Sequence, residues 1–450
     1  MSSANQFDEK TGGTRDPKQT RRDFLKRAGL VAGAVAFPAI VPSRVLGDGA
    51  PSKRITLGCI GMGSQGTHAN LANFLQCDDA QVLAVCDVYK NRTEDARKMT
   101  DKKYQAAGCR AYGDFRKIIE DPAIDAVVIS TPDHWHVPIS LMALEAGKHV
   151  FCEKPTLCLA EGRTLVDAVK KHGAVFQVGL EDRSLIHFHK MVEWVKNGAI
   201  GKLAKIDVSL PCGVNNPVEK PAPAPEGLDY NLWLGPARFC EYTPHRLDGL
   251  HWRFISVYGK GSLSDWGSHL IDTAQLAAEA PGTCPVEVEG TGEIPVGRET
   301  DVPVTFDVTY RYANKVEMHV TSGSSPHGDG RSAAIRFEGD KGWISRKPWS
   351  GPLEASDKAI LLTRYTPETT RHWPLPPSEQ RNFLDCLKSR KPTTYTAEDM
   401  HLLSTTLHLG VIAIALGRKL RWDNAKEEFI EDEAANKMRL RPESRDWAKG

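Results

Sequence analysis

Ile55-Thr56-Leu57-Gly58-Cys59-Ile60-Gly61-Met62-Gly63-Ser64-Gln65-Gly66 begins as a short apolar, β-prone run and passes straight into a G-x-G-x-x-G pattern. A buried strand that ends this way predicts a phosphate cradle. Gly61 permits the tight turn, Gly63 lets the backbone approach a pyrophosphate, and Gly66 lets the next helix pack close on its strand. Phosphate oxygens would lie at that helix's N-terminus, where unpaired N–H groups and the dipole favour anions. The whole run, Gly61, Met62, Gly63, Ser64, Gln65 and Gly66, is assigned to cofactor binding. A second strand over 80–86 ends in Asp87, at the distance where an acidic residue reads the adenosine ribose. A lone G-x-G-x-x-G is often only a glycine-rich turn. Here strand, glycines, helix, second strand and acid occur in order, which makes dinucleotide binding the reading adopted.

A chain of 450 residues is too long for one small core and predicts two domains plus appendages. Its 58 Lys+Arg nearly cancel its 57 Asp+Glu, and no basic stripe stands out, which argues against a nucleic-acid partner. The ten cysteines are spread singly, with no CxxC pair and no metal-ligand spacing, so no metal site is expected; an even count permits disulfides in an exported protein, but the spacing predicts no pairing.

Residues 1–20 are polar and read as disordered. Thr20-Arg21-Arg22-Asp23-Phe24-Leu25-Lys26, followed by an apolar run over 28–37, resembles a twin-arginine export signal. The run is short and rich in Ala and Gly, as signal segments are and membrane spans are not. Export to the periplasm is expected, with cleavage after Gly47 or Ala50, or an uncleaved anchor as the alternative. That route carries folded proteins, and the periplasm offers no nicotinamide pool. A cofactor loaded in the cytoplasm, retained, and regenerated on the enzyme is therefore expected.

After Asp87 the pattern alternates: helices over 92–103, 115–121, 138–146 and 159–172 interleave with strands over 124–131, 149–152 and 174–179. This alternation predicts a doubly wound parallel α/β sheet with ligands at the carboxyl ends of its strands. Thr131, Pro132 and His136 fall at one such end and Glu153 and Lys154 at another, so these five join the cofactor set. His136 is equally open to being a satisfied buried histidine. From about residue 180 the texture changes. Runs over 203–210, 304–312, 315–321, 333–338 and 343–346 read as a large, mostly antiparallel open-faced sheet of an α+β domain. Helices over 379–389 and 397–416, apolar on one face, should pack back on the body. The resulting plan is a disordered N-terminus with signal over 1–50, a dinucleotide-binding Rossmann domain over 51–180, a substrate-binding and oligomerisation domain over 181–425, and a tail over 426–450.

A nucleotide fold followed by one sheet-rich domain, with Glu153-Lys154-Pro155 at the junction, resembles the glucose-fructose oxidoreductase / inositol dehydrogenase (Gfo/Idh/MocA) family. The resemblance covers about residues 54–425 and is strongest at 61–66, 131–136, 153–155 and Asp265-Trp266-Gly267-Ser268-His269-Leu270-Ile271-Asp272. It is most similar to exported, twin-arginine members, which share the runs over 382–389 and 409–420. It implies an oxidoreductase whose open sheet face makes a dimer or tetramer contact.

The chemistry also follows from the residues. Asp265 and His269 are spaced i, i+4, with Asp272 three further on, so a helix would set all three on one face. Oxidising a secondary alcohol removes the hydroxyl proton as hydride leaves the same carbon, and histidine suits that proton. His269 is read as general base, Asp265 as its orienting partner, and Lys154 as the donor to the reacting oxygen. A desolvated lysine beside a cationic nicotinamide should have a depressed pKa and so share the proton. The resemblance implies the same three roles. Arg183, His251, Trp252, Arg253 and Asp272 are assigned to a sugar or polyol, since aromatic faces and forked donors suit hydroxyl-rich rings, although Trp252 is equally open to a core role. Asp87 favours NAD, and Lys90 and Arg92 nearby keep NADP open. Two other functions stand beside the oxidoreductase: a redox-neutral NAD-dependent glycosidase or lyase that works through a transient keto-sugar, and a non-catalytic nucleotide-containing binding protein.

Overall fold

A computed structural model describes residues 53–447 apart from 279–282, 326–327, 330–332, 367–373 and 443. The disordered segment and the export signal read at 1–50 lie outside the described residues. Strand β1 (Ile55–Ile60) and the glycine turn lead into a π-type helix over Gln65–Leu71. There follow β2 (Ala80–Cys86), α1 (Lys90–Tyr104), β3 (Arg110–Tyr112), β4 (Ala126–Ile129), α2 (Asp133–Glu145), β5 (His149–Glu153), α3 (Leu159–His172) and β6 (Phe176–Gly179). All strand pairs are parallel, in the order β3-β2-β1-β4-β5-β6. The apolar runs are unbroken because both faces are covered, and every residue of β4 and β6 is buried. Strand order reverses between β1 and β4, which opens a crevice above their carboxyl ends.

Helix α2 starts five residues earlier than its sequence suggested, with Pro138 inside it. Proline has no N–H for the carbonyl four residues back, that of His134. The Arg441 guanidinium donates to that oxygen instead, at 2.9 Å. The helix survives because a distant side chain completes it.

The second half adds α4 (Ile186–Lys196), β7 (Leu203–Leu210), α5 (Ser262–Ala277), β8 (Glu287–Glu293), β9 (Thr305–Arg311), β10 (Glu317–Ser322), β11 (Ala334–Gly339), β12 (Gly342–Arg346) and β13 (Leu353–Ala355). It closes with α6 (Glu379–Ser389), α7 (Ala397–Leu416), β14 (Leu420–Asp423) and β15 (Glu428–Phe429). These nine strands run β13-β12-β11-β7-β10-β9-β8-β14-β15, antiparallel except for the β7–β10 pair. One face packs on α5 and α7. The other carries charges in register: Arg311 reaches Glu289 at 2.6 Å and Glu317 at 3.2 Å, and His319 reaches Asp307 at 2.8 Å.

Two segments tie the halves together. Helix α6 lays Phe383 against Phe74 and Phe151, with ring centroids 6.3 and 5.8 Å apart, and sends Arg381 to Asp79 through two 2.8 Å bonds. Beyond β15 the chain returns to the first domain, where Trp447 meets the Trp135 ring edge-on at 4.7 Å. Residues 428–447, read from sequence as part of a tail, thus contribute a strand and a packed indole.

Candidate active site

The glycine turn is closed by its own backbone. Gly61 has φ +88, and a Cβ there would fall 2.6 Å from the Ser130 carbonyl oxygen; a Cβ at Gly66 would fall 1.9 Å from that of Gly61. At Gly63 the nearest atom would be Arg92 Nη1, at 3.9 Å. Two glycines therefore close the turn and the middle one faces open space, which is the shape a pyrophosphate needs. No side chain caps the helix that starts at Gln65, so its first N–H groups are left for an anion. Behind the turn, Glu153 accepts from Gln65 at 3.1 Å and Asn70 at 2.8 Å. Asp87 accepts the N–H groups of Met62 at 2.7 Å and Tyr89 at 2.8 Å.

A cavity of about 460 Å³ runs from this turn to α5. Of the expected cofactor residues, Gly61, Gly63, Ser64, Gln65, Asp87, Thr131, Pro132, His136, Glu153 and Lys154 line it. Met62 and Gly66 do not; their backbones shape the turn from behind. His136 is 1% exposed, with ring nitrogens 2.8 Å from the carbonyls of Thr131 and Pro155. Burial pushes its pKa down to about 4, so it is neutral, donates to one of the two carbonyls, and braces the turns that carry Thr131 and Lys154.

Lys154, Asp265 and His269 meet at the far end of the same cavity. The Lys154 Nζ donates to the Asp265 carboxylate at 3.0 Å and to its carbonyl at 3.1 Å, and Arg253 Nε lies 3.2 Å from the other carboxylate oxygen. Burial alone would raise the Asp265 pKa, but Lys154 and Arg253 outweigh it and hold the acid well below the carboxylate range. Burial likewise pulls Lys154 down, and Asp265 reverses this, leaving the amine above its ordinary value. The depressed value was expected beside a cationic nicotinamide; the protein's own groups act the other way, since the carboxylate beside the amine holds its proton.

The partner of His269 also differs from the expectation. Among the described residues no hydrogen bond joins it to Asp265, which is engaged by Lys154 and Arg253; its Nδ1 instead bonds to Asp182 Oδ2 at 2.6 Å. Trp349 Nε1 holds the other Asp182 oxygen at 2.8 Å. Burial and Lys154 pull the imidazole down, Asp182 pulls it up, and the net shift is upward. Asp182 lies just past β6, a strand end of the kind that carries ligands, and that position is the signal that could have found it.

Trp252 and Arg253 line the cavity as expected, while Arg183, Asp272 and His251 do not. Arg183 and Asp272 face each other through bonds of 2.9 and 2.7 Å, 7% and 3% exposed, with Tyr395 under the guanidinium at 3.7 Å. Each is neutralised by the other, so neither is available to a ligand in the cavity. His251 stacks on His245, ring centroids 3.6 Å apart, and its Nδ1 lies 3.1 Å from that residue's carbonyl.

Models of an oxidoreductase family match nearly all of the described chain: the NAD-binding Rossmann fold over 55–180 and the C-terminal alpha/beta domain over 187–449. The chain belongs to the Gfo/Idh/MocA oxidoreductase family. Residues 55–180 are accordingly an NAD-binding Rossmann domain. Myo-inositol 2-dehydrogenase of Thermotoga maritima is 33% identical over 194 residues, 43% of this chain and 52% of that one, so the match spans about half of that relative's length. Levoglucosan dehydrogenase of Pseudarthrobacter phenanthrenivorans is 28% identical over 300 residues, 58% of this chain and 68% of that one. Aldose-aldose oxidoreductase from Caulobacter crescentus, solved with glycerol, shares the fold at a TM-score of 0.59 and 19% identity, over 82% of this Gfo/Idh/MocA chain and 99% of that one.

Proposed function

We propose that this protein is an NAD-dependent oxidoreductase that oxidises a secondary alcohol of a sugar or polyol. The observation that carries the reading is one cavity with a dinucleotide cradle at one end and a buried Lys154–Asp265 pair beside His269 at the other. When bound, NAD supplies the hydride acceptor, and the glycine turn, Asp87 and Thr131 would hold it. Lys154, kept protonated by Asp265, donates to the alcohol oxygen and steadies the negative charge that grows there. His269, set in one orientation by Asp182 through Nδ1, takes the hydroxyl proton on its other ring nitrogen, Nε2. Trp252 and Trp266 give the ring of a polyol two apolar faces. Relatives that act on inositol and levoglucosan support this substrate class.

The arginine pair in Thr20–Lys26, together with the dinucleotide cradle, supports export with the cofactor retained, and the partly exposed charges on the outer sheet face support a homo-oligomer. The deciding experiment incubates the full chain, without added nucleotide, with myo-inositol, aldoses and aryl glycosides. Growth of reduced-nicotinamide absorbance supports oxidation. Release of aglycone without net redox change replaces that reading with the glycosidase, and silence across the panel replaces it with the binding protein.

A further inference from the structure

Five carboxylates line the cavity: Asp87, Asp133, Glu153, Glu181 and Asp265. Three have partners in the protein. Asp87 holds two backbone N–H groups, Glu153 holds Gln65 and Asn70, and Asp265 holds Lys154 and Arg253. Glu181 is half-buried and can meet water. Asp133 differs from all four. It is 6% exposed, and among the described residues no side chain or backbone group of another residue donates to its carboxyl. A carboxyl that opens onto the cavity and has no donor from another residue is left to pair with whatever fills that cavity. It lines the same cavity as Arg253, Asp265 and Lys154, and the charges of those three act on it. Lys154, the donor assigned to the reacting oxygen, is one of them. Standing in the first turn of α2, the carboxyl is favoured as an acceptor by the helix dipole. Burial pushes its pKa up to about 7, so near neutrality its charge is easily set by a donor that arrives with a ligand.

We propose that Asp133 contacts the substrate and accepts the hydroxyl adjacent to the reacting carbinol, so that the site selects vicinal diols over isolated secondary alcohols. This rests on the function proposed above. Lys154 takes the reacting oxygen, Asp133 takes its neighbour, and the Arg253 fork fixes the spacing between Asp265 and the ring. A site built to pair with a second hydroxyl rejects a molecule that lacks it, because Asp133 is then left without a partner.

The test uses the full chain with NAD, and cyclohexanol, cis-cyclohexane-1,2-diol and trans-cyclohexane-1,2-diol as probes. Wild type should favour one of the diols over cyclohexanol by at least about tenfold in kcat/KM. Asp133→Asn, which keeps the shape, should raise KM for that diol about tenfold, hold kcat within about threefold, and leave cyclohexanol unaffected. Asp133→Ala should erase the preference. NAD affinity, read from tryptophan quenching, should match wild type in both variants. A preference that survives both substitutions overturns the inference. So does a loss of cyclohexanol turnover in step with the diol, which would mark a structural role. If wild type oxidises the diols and cyclohexanol equally, this inference fails alone; if it oxidises no alcohol, the proposed function fails with it.

Discussion

At the scale of single residues, the site separates two kinds of charge work. Asp265 keeps Lys154 protonated, and Asp182 keeps His269 oriented and raises its pKa above the ordinary 6.5. Lys154→Met should lower kcat by about 10²–10⁴ while leaving NAD affinity near wild type, checked by turnover and by nucleotide titration. A histidine base works only when neutral, so activity should be lost as pH falls through the raised His269 value. Asp182→Asn removes the group that raises it, and the acidic limb of kcat/KM should move to lower pH; an unmoved limb would show that His269 does not set it. Lys154 was legible because Glu153-Lys154-Pro155 sits at a strand end. Asp182 also stands just past a strand end, but its pairing with His269 was not legible, because an acid 87 residues from its histidine leaves no spacing to read. Arg183 was misread for a related reason: an arginine looks free in a sequence until the fold brings Asp272 to it.

At the scale of elements, the glycine turn offers a paired test. Gly66→Ala would drive a methyl group into the Gly61 carbonyl and should lower stability as well as nucleotide affinity. Gly63→Ala meets nothing closer than 3.9 Å and should leave the melting temperature near wild type while weakening NAD binding by at least about tenfold, since only the ligand occupies that space. Thermal melts with and without NAD would show both. The order of strands and helices in the first domain was readable because buried parallel strands are continuously apolar. The second domain was harder. Its strand β15 is two residues long and charged in part, so nothing in periodicity marks it. Helix α7 was expected to be apolar on one face; its composition would suit a membrane span, yet 72% of its most apolar window is buried among α3, α5 and the sheet. Few polar positions are left to mark an outer face.

At the scale of the whole molecule, the halves are joined by α6 and by the segment after β15. Phe383→Ala removes a ring from the Phe74–Phe151 cluster and should cost about 3–5 kcal/mol, seen as one cooperative loss in chemical denaturation and not as a separate early transition of the second domain. The other join has a different logic. Pro138 leaves the His134 carbonyl without its helical donor, and Arg441, 307 residues further along, supplies one. The proline and the arginine are therefore a matched pair. Replacing the arginine breaks its pair with Glu161 on either background, but should harm a chain that has the proline more than one with alanine at 138, so the two losses should not add. Arg441 also pairs with the buried Glu161 at 2.5 Å, so its loss is costly on either background, and removing the ring spares a lineage only the share of that cost that falls on one carbonyl.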